Sequence, residues 1–194
     1  MLKRILCATL ASGALVLSGS VTAQALKIAL IAGKTGPLEA YAKDTEKGFM
    51  LGLEYLTNGT MALNGRKIRV IVKDDQLKPD LGKAMLAEAY ADDKVDIAVG
   101  TTSSGVALAM LPVAEEYKKV LIVEPAVADA ITGDKWNRYI FRTGRNSAQD
   151  GLASAATLMG GGSVAYLAQD YAFGRDGVKA GKEALAAVGS KARV

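Results

Sequence analysis

The sequence of 194 residues holds no histidine and a single cysteine, Cys7. Without histidine the Ser-His-Asp and Cys-His arrangements of nucleophilic catalysis are absent, and so is the commonest general base. The same two shortages leave no zinc site of the usual ligand type. Net charge is small as well, at +4. Setting aside Lys3 and Arg4 of the amino-terminal segment removes two charges and leaves +2, with no basic block of the kind that binds nucleic acid. The apolar run from Ile5 to Val16 falls short of the ~20 residues of a membrane-spanning helix.

That run has another reading. Lys3 and Arg4 precede it, and small residues ending in Ala23-Gln24-Ala25 follow it, so residues 1–25 are expected to be a secretory signal peptide. Cys7 lies too early to be a lipid-attachment cysteine, and the remainder, lacking cysteine, meets no disulfide problem in an oxidising compartment.

From Leu26 the pattern alternates between two periods. Lys27 to Ile31 is an apolar run ending near Gly33, and Phe49, Leu53 and Leu56 then mark one helix face. Asn64-Gly65 is a type I′ hairpin signal between Thr60–Leu63 and Arg66–Val72. Pro79-Asp80 opens a second helix running to about Asp93. Strands are expected at Val95–Val99, Val120–Val123, Tyr139–Arg142 and Val164–Leu167. Helices are expected after Ser104, over Ser147–Met159 and over Gly174–Ala187, with a kink at Pro112. Such repeated strand and helix units give a parallel sheet covered on both faces, and ligands of such sheets bind beyond the carboxyl ends of the strands.

Those ends are the polar, glycine-rich parts of the chain. The most informative is Thr101-Thr102-Ser103-Ser104, where a buried strand meets a helix start. A first helical turn leaves about four N–H groups unpaired and carries about half a positive charge, so neighbouring hydroxyls can complete a carboxylate pocket. A helix cap by Ser103 or Ser104 explains the same residues.

Other motifs fail on spacing. Gly33-Lys34-Thr35 lacks the earlier glycine of a phosphate loop, since position 28 is Ile28. Gly160, Gly162 and Ala165 precede a strand instead of following one, which removes the dinucleotide mechanism. Asp74-Asp75 point to opposite sides of an extended segment and read as a solvated strand end, not a metal site. Asn58-Gly59-Thr60 matches a glycosylation sequon but equally a turn. Phe173, ahead of a helix start, reads as a cleft residue or as core. No catalytic constellation, metal site or cofactor site is expected.

Taken together, GPLEAYAKDTEKGF, VIVKDDQ, VGTTSSGVALAMLPVAEEY, VEPAVAD, YIFRTGRN and QDYAFGRDG resemble the periplasmic solute-binding proteins of branched-chain amino acid type ABC transporters, the leucine-isoleucine-valine binding protein family. The resemblance runs from about Leu26 to the last residue. It implies an α/β, type I periplasmic-binding fold, with parallel sheets flanked by helices in two lobes that close on a small carboxylic ligand. It also implies a periplasmic location, docking on a membrane permease, a monomer when complete, and no nucleic acid partner. By motif, Ser104 takes the place of the family's carboxylate-binding serine, beside Thr102 and Ser103. Ala126 and Ala128 take the place of residues offering backbone groups, Tyr41 that of an aromatic at the cleft rim, and Phe173 that of a tyrosine covering the ligand. Where amino-acid binders carry an acid for the ammonium, this chain has Arg145-Asn146, in a segment one residue shorter, and Asn146 keeps hydrogen bonding without charge. Together with the lost tyrosine hydroxyl, this points to a carboxylate ligand that needs no ammonium, aromatic acids included.

The expected division is a signal peptide at 1–25, an amino-terminal lobe at 26–142 and an incomplete second lobe at 143–194. Family members are substantially longer, so the sequence is expected to be a fragment or truncated product, marginal in stability or sticky alone through exposed strand edges and helix faces. The function expected is capture of an amino acid or other small carboxylic acid for an ABC importer. A sensor domain of the same fold serving a receptor or regulator is one alternative, and an exported α/β enzyme another.

Overall fold

The structure is a computed structural model and describes residues 24–160 and 162–194. The expected signal peptide at 1–25, with Cys7, lies outside the described residues except for its last two positions. The elements run β1 (Leu26–Ala32), α1 (Glu39–Leu56), β2 (Ala62–Leu63), β3 (Arg66–Asp74), α2 (Pro79–Ala91), β4 (Ile97–Gly100), α3 (Ser104–Tyr117), β5 (Val120–Val123), β6 (Ile140–Arg142), α4 (Ser147–Ala156), β7 (Gly162–Ser163), α5 (Ala172–Ala187) and β8 (Ala192–Arg193).

Six strands form one sheet in the order β2-β3-β1-β4-β5-β6, parallel except for β2. The β2–β3 hairpin turns at Asn64 and Gly65, whose φ angles of 49° and 77° are those of a type I′ turn. β1 lies in the middle because it is apolar on both faces: Ala29, Leu30 and Ile31 are fully buried. The chain leaves β1 toward β3, then crosses back to β4 on the other side. The loops after β1 and β4 therefore diverge at the switch point where such sheets bind ligands.

One face of the sheet is covered by α2 and α3. Leu86 and Tyr90 of α2 and Val106, Met110 and Val113 of α3 pack on Ala29, Ile31, Ala98 and Leu121. Each fully buried Leu, Ile or Val contributes about 1.5–3 kcal/mol. α3 continues through Pro112. On the opposite face α1 covers Ile28, Leu30 and Ile68 through Leu53 and Phe49. Beside it a groove lined by Phe49, Val99 and Ile122 stays open, and α1 exposes Leu51, Tyr55 and Leu56. The sheet is thus covered by helices on both faces, but incompletely on the second.

The expected strand at Val164–Leu167 is not one. β7 ends at Ser163, and the Val164 N–H continues its pairing, to the Arg193 carbonyl at 2.7 Å. An apolar run becomes a strand only beside a partner, and β8 offers two residues. α4 and α5 instead pack on each other through Ala155, Ala184 and Leu185, with Val164 and Tyr166 against them.

Asp74 and Asp75 take different partners, and neither is a freely solvated strand end. Asp74 accepts from the Lys34 and Gln76 N–H groups at 2.8 and 3.0 Å and from the Thr35 hydroxyl at 3.0 Å. Asp75 is fully buried, accepting from the Leu77 N–H at 2.8 Å and from the Thr101 hydroxyl. Burial pushes the Asp75 carboxyl above its ordinary value of 3.8, against the lowering effect of those two hydrogen bonds. A carboxyl with a raised folded-state pKa stabilises fully below its unfolded value, and this contribution is lost as pH rises through the folded value. Asp74 has the opposite sign: burial works against it, but its hydrogen bonds hold it below 3.8. The stability of the natural chain relative to Asp75→Asn is therefore expected to fall as pH rises from about 4 to 7. Urea unfolding of both proteins across that range checks it, and a difference that grows with pH would contradict it.

Candidate carboxylate-binding cleft

β4 delivers Thr101 to Ser104 at the switch point, and the hydroxyls there are sorted by their partners. Thr101 turns down onto Asp75. Thr102 accepts the Gly33 N–H at 3.1 Å, tying the β1 loop to the β4 loop. Ser103 precedes α3 in extended conformation and makes no side-chain cap. The first N–H groups of α3 have no intrahelical acceptor, by the geometry of any helix start. Ser104, 2 % exposed, accepts the Ala128 N–H at 3.2 Å. With that lone pair engaged, its hydroxyl proton is left to donate.

Of these, Thr102 and Ser104 border a cavity of about 150 Å³ whose lining also includes Tyr41, Ala126, Arg145 and Phe173. A space of that order accommodates a benzene-sized ring. Leu38, Pro125, Val127, Gln169 and Tyr171 complete its wall. The Tyr171 and Phe173 rings lie 6.0 Å apart, tilted by 43°. Burial, and secondarily Tyr41, pushes the Tyr171 hydroxyl above its ordinary pKa, so it remains a neutral donor. Among the described residues no Asp or Glu lines the cavity, and no group of three His, Cys, Asp or Glu side chains could hold a metal.

Of the residues singled out from sequence, Tyr41, Thr102, Ser104, Ala126 and Phe173 meet at this cavity, while Ser103, Ala128 and Asn146 do not line it. Ala128 lies behind Ser104, its N–H engaged there and its carbonyl accepting from Arg142 at 2.8 Å. The Ala126 N–H likewise goes to the Thr101 carbonyl at 3.2 Å. Asn146 caps α4: its side chain accepts the Gln149 N–H at 2.8 Å, and the Gln149 side chain accepts the Asn146 N–H at 2.9 Å. This reciprocal box was readable as N-x-x-Q before a helix. Arg145, Gln169 and Tyr171 were not singled out, because no spacing rule marks a lone polar residue as facing a cleft.

Among the described residues, no helix is long and apolar enough to cross a membrane. The chain is 71% identical to a crystallised protein described as an ABC-type branched-chain amino acid transporter, from Rhodopseudomonas palustris, with a TM-score of 0.73 over 87% of this chain and 45% of that one. A solute-binding protein of an ABC transporter from the same species, in complex with 3,4-dihydroxybenzoic acid, is 30% identical with a TM-score of 0.73, over 88% and 46%. A leucine-, isoleucine-, valine-, threonine- and alanine-binding protein of Pseudomonas aeruginosa is 29% identical over 126 residues, 65% of this chain and 33% of its own. The chain thus spans about a third of that relative and just under half of the two crystallised proteins. The family model described as periplasmic binding protein matches residues 25–194, from the start of the first strand to the final residue, and the chain belongs to that family.

Proposed function

We propose that the chain is part of the solute-capturing component of an ABC importer, and that it takes a small carboxylic acid, preferring one without an ammonium group. Residues 26–142 serve as the first lobe and 143–194 as the start of the second, and the ligand lies between them. Residues 1–25 direct export to the periplasm, where the loaded, monomeric protein docks on its permease. The task is binding by closure, with no bond made or broken.

The observation that carries this reading is the meeting of the open α3 N-terminus with the buried Ser104 hydroxyl at an aromatic-walled cavity that no Asp or Glu lines among the described residues. Helix-terminal N–H groups and a hydroxyl favour a carboxylate. Among the described residues a ligand ammonium would find no carboxylate partner in the cavity wall and would face Arg145, a like charge. Tyr41, Tyr171 and Phe173 suit an apolar or aromatic body. The similar protein crystallised with 3,4-dihydroxybenzoic acid supports a carboxylate ligand without an ammonium, whereas the 71%-identical protein is named for branched-chain amino acids, which carry one.

Calorimetric titration with matched pairs tests it: leucine against 4-methylpentanoate, and phenylalanine against 3-phenylpropanoate. The acids lacking nitrogen are expected to bind at least about tenfold more tightly, a difference of about 1.4 kcal/mol. Tighter binding of the amino acids would contradict the reading.

A further inference from the structure

Arg145 is the charged side chain in the wall of the cavity, and its setting differs from that of an ordinary surface arginine. It sits in the loop between β6 and α4, so it reaches the cavity from a different element than Ser104. Its Nε donates to both carboxylate oxygens of Asp150, at 2.8 and 2.9 Å. Asp150 lies in the first turn of α4, where the helix N-terminus shares its negative charge. Asp150 is not itself part of the cavity lining. The guanidinium is thus held from its Nε side, and among the described residues its two Nη groups donate to no protein acceptor. Two parallel donors in a fixed plane match the two oxygens of a carboxylate.

The cavity therefore presents two separate positive features, the α3 N-terminus beside Ser104 and the Nη face of Arg145, and no negative one among the described residues. A monocarboxylate satisfies one of them. We propose that Arg145 is a second anion anchor and that the preferred ligand is a small dicarboxylic acid, one carboxylate at Ser104 and the other at Arg145. This rests on the reading of the cavity as a carboxylate site and names the ligand class within it. The side chain of Arg145 is 60 % exposed, so solvent and Asp150 both weaken the added interaction. An advantage of about tenfold is expected, where a dry bidentate pair would give far more.

The experiment titrates the chain with glutarate against pentanoate and with terephthalate against benzoate, in the natural protein and in Arg145→Gln, Asp150→Asn and Ser104→Ala. The natural protein is expected to favour each dicarboxylate about tenfold, and Arg145→Gln to shrink that ratio to about threefold or less. Asp150→Asn, which keeps the guanidinium but loosens its tether, retains a clear dicarboxylate preference. Equal binding of the paired acids, equal weakening of both by Arg145→Gln, or loss of the preference in Asp150→Asn would overturn the second anchor while leaving the Ser104 site standing. If no carboxylate binds, or Ser104→Ala changes none of the affinities, the carboxylate site falls and the second anchor with it.

Discussion

Gly100→Ala is expected to destabilise the chain by roughly 3 kcal/mol or more, a large share of the ~5–15 kcal/mol that holds a typical domain together. Gly100 ends β4 with a φ of +150°, a region that side chains rarely adopt. A methyl group there would lie 2.1 Å from the Ile31 carbonyl oxygen. Ile31 is its ladder partner on the central strand and is fully buried. Neither backbone can withdraw without breaking the pairing of β1 with β4, which positions the Thr101–Ser104 loop. Gly33 provides the contrast. An added methyl there also comes within 2.1 Å of an atom, but that atom is the end of the Leu77 side chain, which can rotate away. Urea unfolding should therefore show a far smaller loss for Gly33→Ala than for Gly100→Ala. A loss below about 1 kcal/mol for Gly100→Ala would contradict the argument.

Ser104→Ala is expected to weaken binding of a small carboxylate about ten- to hundredfold, since a hydrogen bond to a charged group contributes about 1.5–3 kcal/mol. The substitution also leaves the buried Ala128 N–H without its acceptor, at a stability cost of about 1–3 kcal/mol. The two effects separate in Ser104→Thr, which restores the hydroxyl and with it part of the affinity. Titration of both variants checks this. Affinity within twofold of the natural protein in Ser104→Ala would remove Ser104 from the site.

Much of this arrangement was legible in the residue pattern. The alternation of apolar runs and helical stripes placed β1, β4 and β5 and the helices between them, because each is fixed by local periodicity and by burial on one contiguous core. The strand end at Thr101–Ser104 was legible for the same reason. Tertiary surroundings decided the rest. Val164–Leu167 reads as a strand in composition yet among the described residues has no neighbouring strand to pair with, and Leu167 is fully exposed. Asp75 has the alternation of a strand end but is buried by the Thr101 hydroxyl and the turn at Leu77. Asn146 and Arg145 are adjacent, and the cap chemistry of Asn146 turns its side chain to Gln149 while Arg145 reaches the cavity. The pairing of Arg145 with Asp150 is a further contact that periodicity does not encode.

The central claim is that a ligand carboxylate lies against the first turn of α3 and the Ser104 hydroxyl. A crystal structure of the chain with benzoate tests it most directly. The carboxylate oxygens are expected within about 2.7–3.2 Å of Ser104 Oγ and of an N–H group at the start of α3, with the ring against Tyr171 and Phe173. A carboxylate paired to Arg145 alone, or benzoate bound outside the cavity, would contradict the claim.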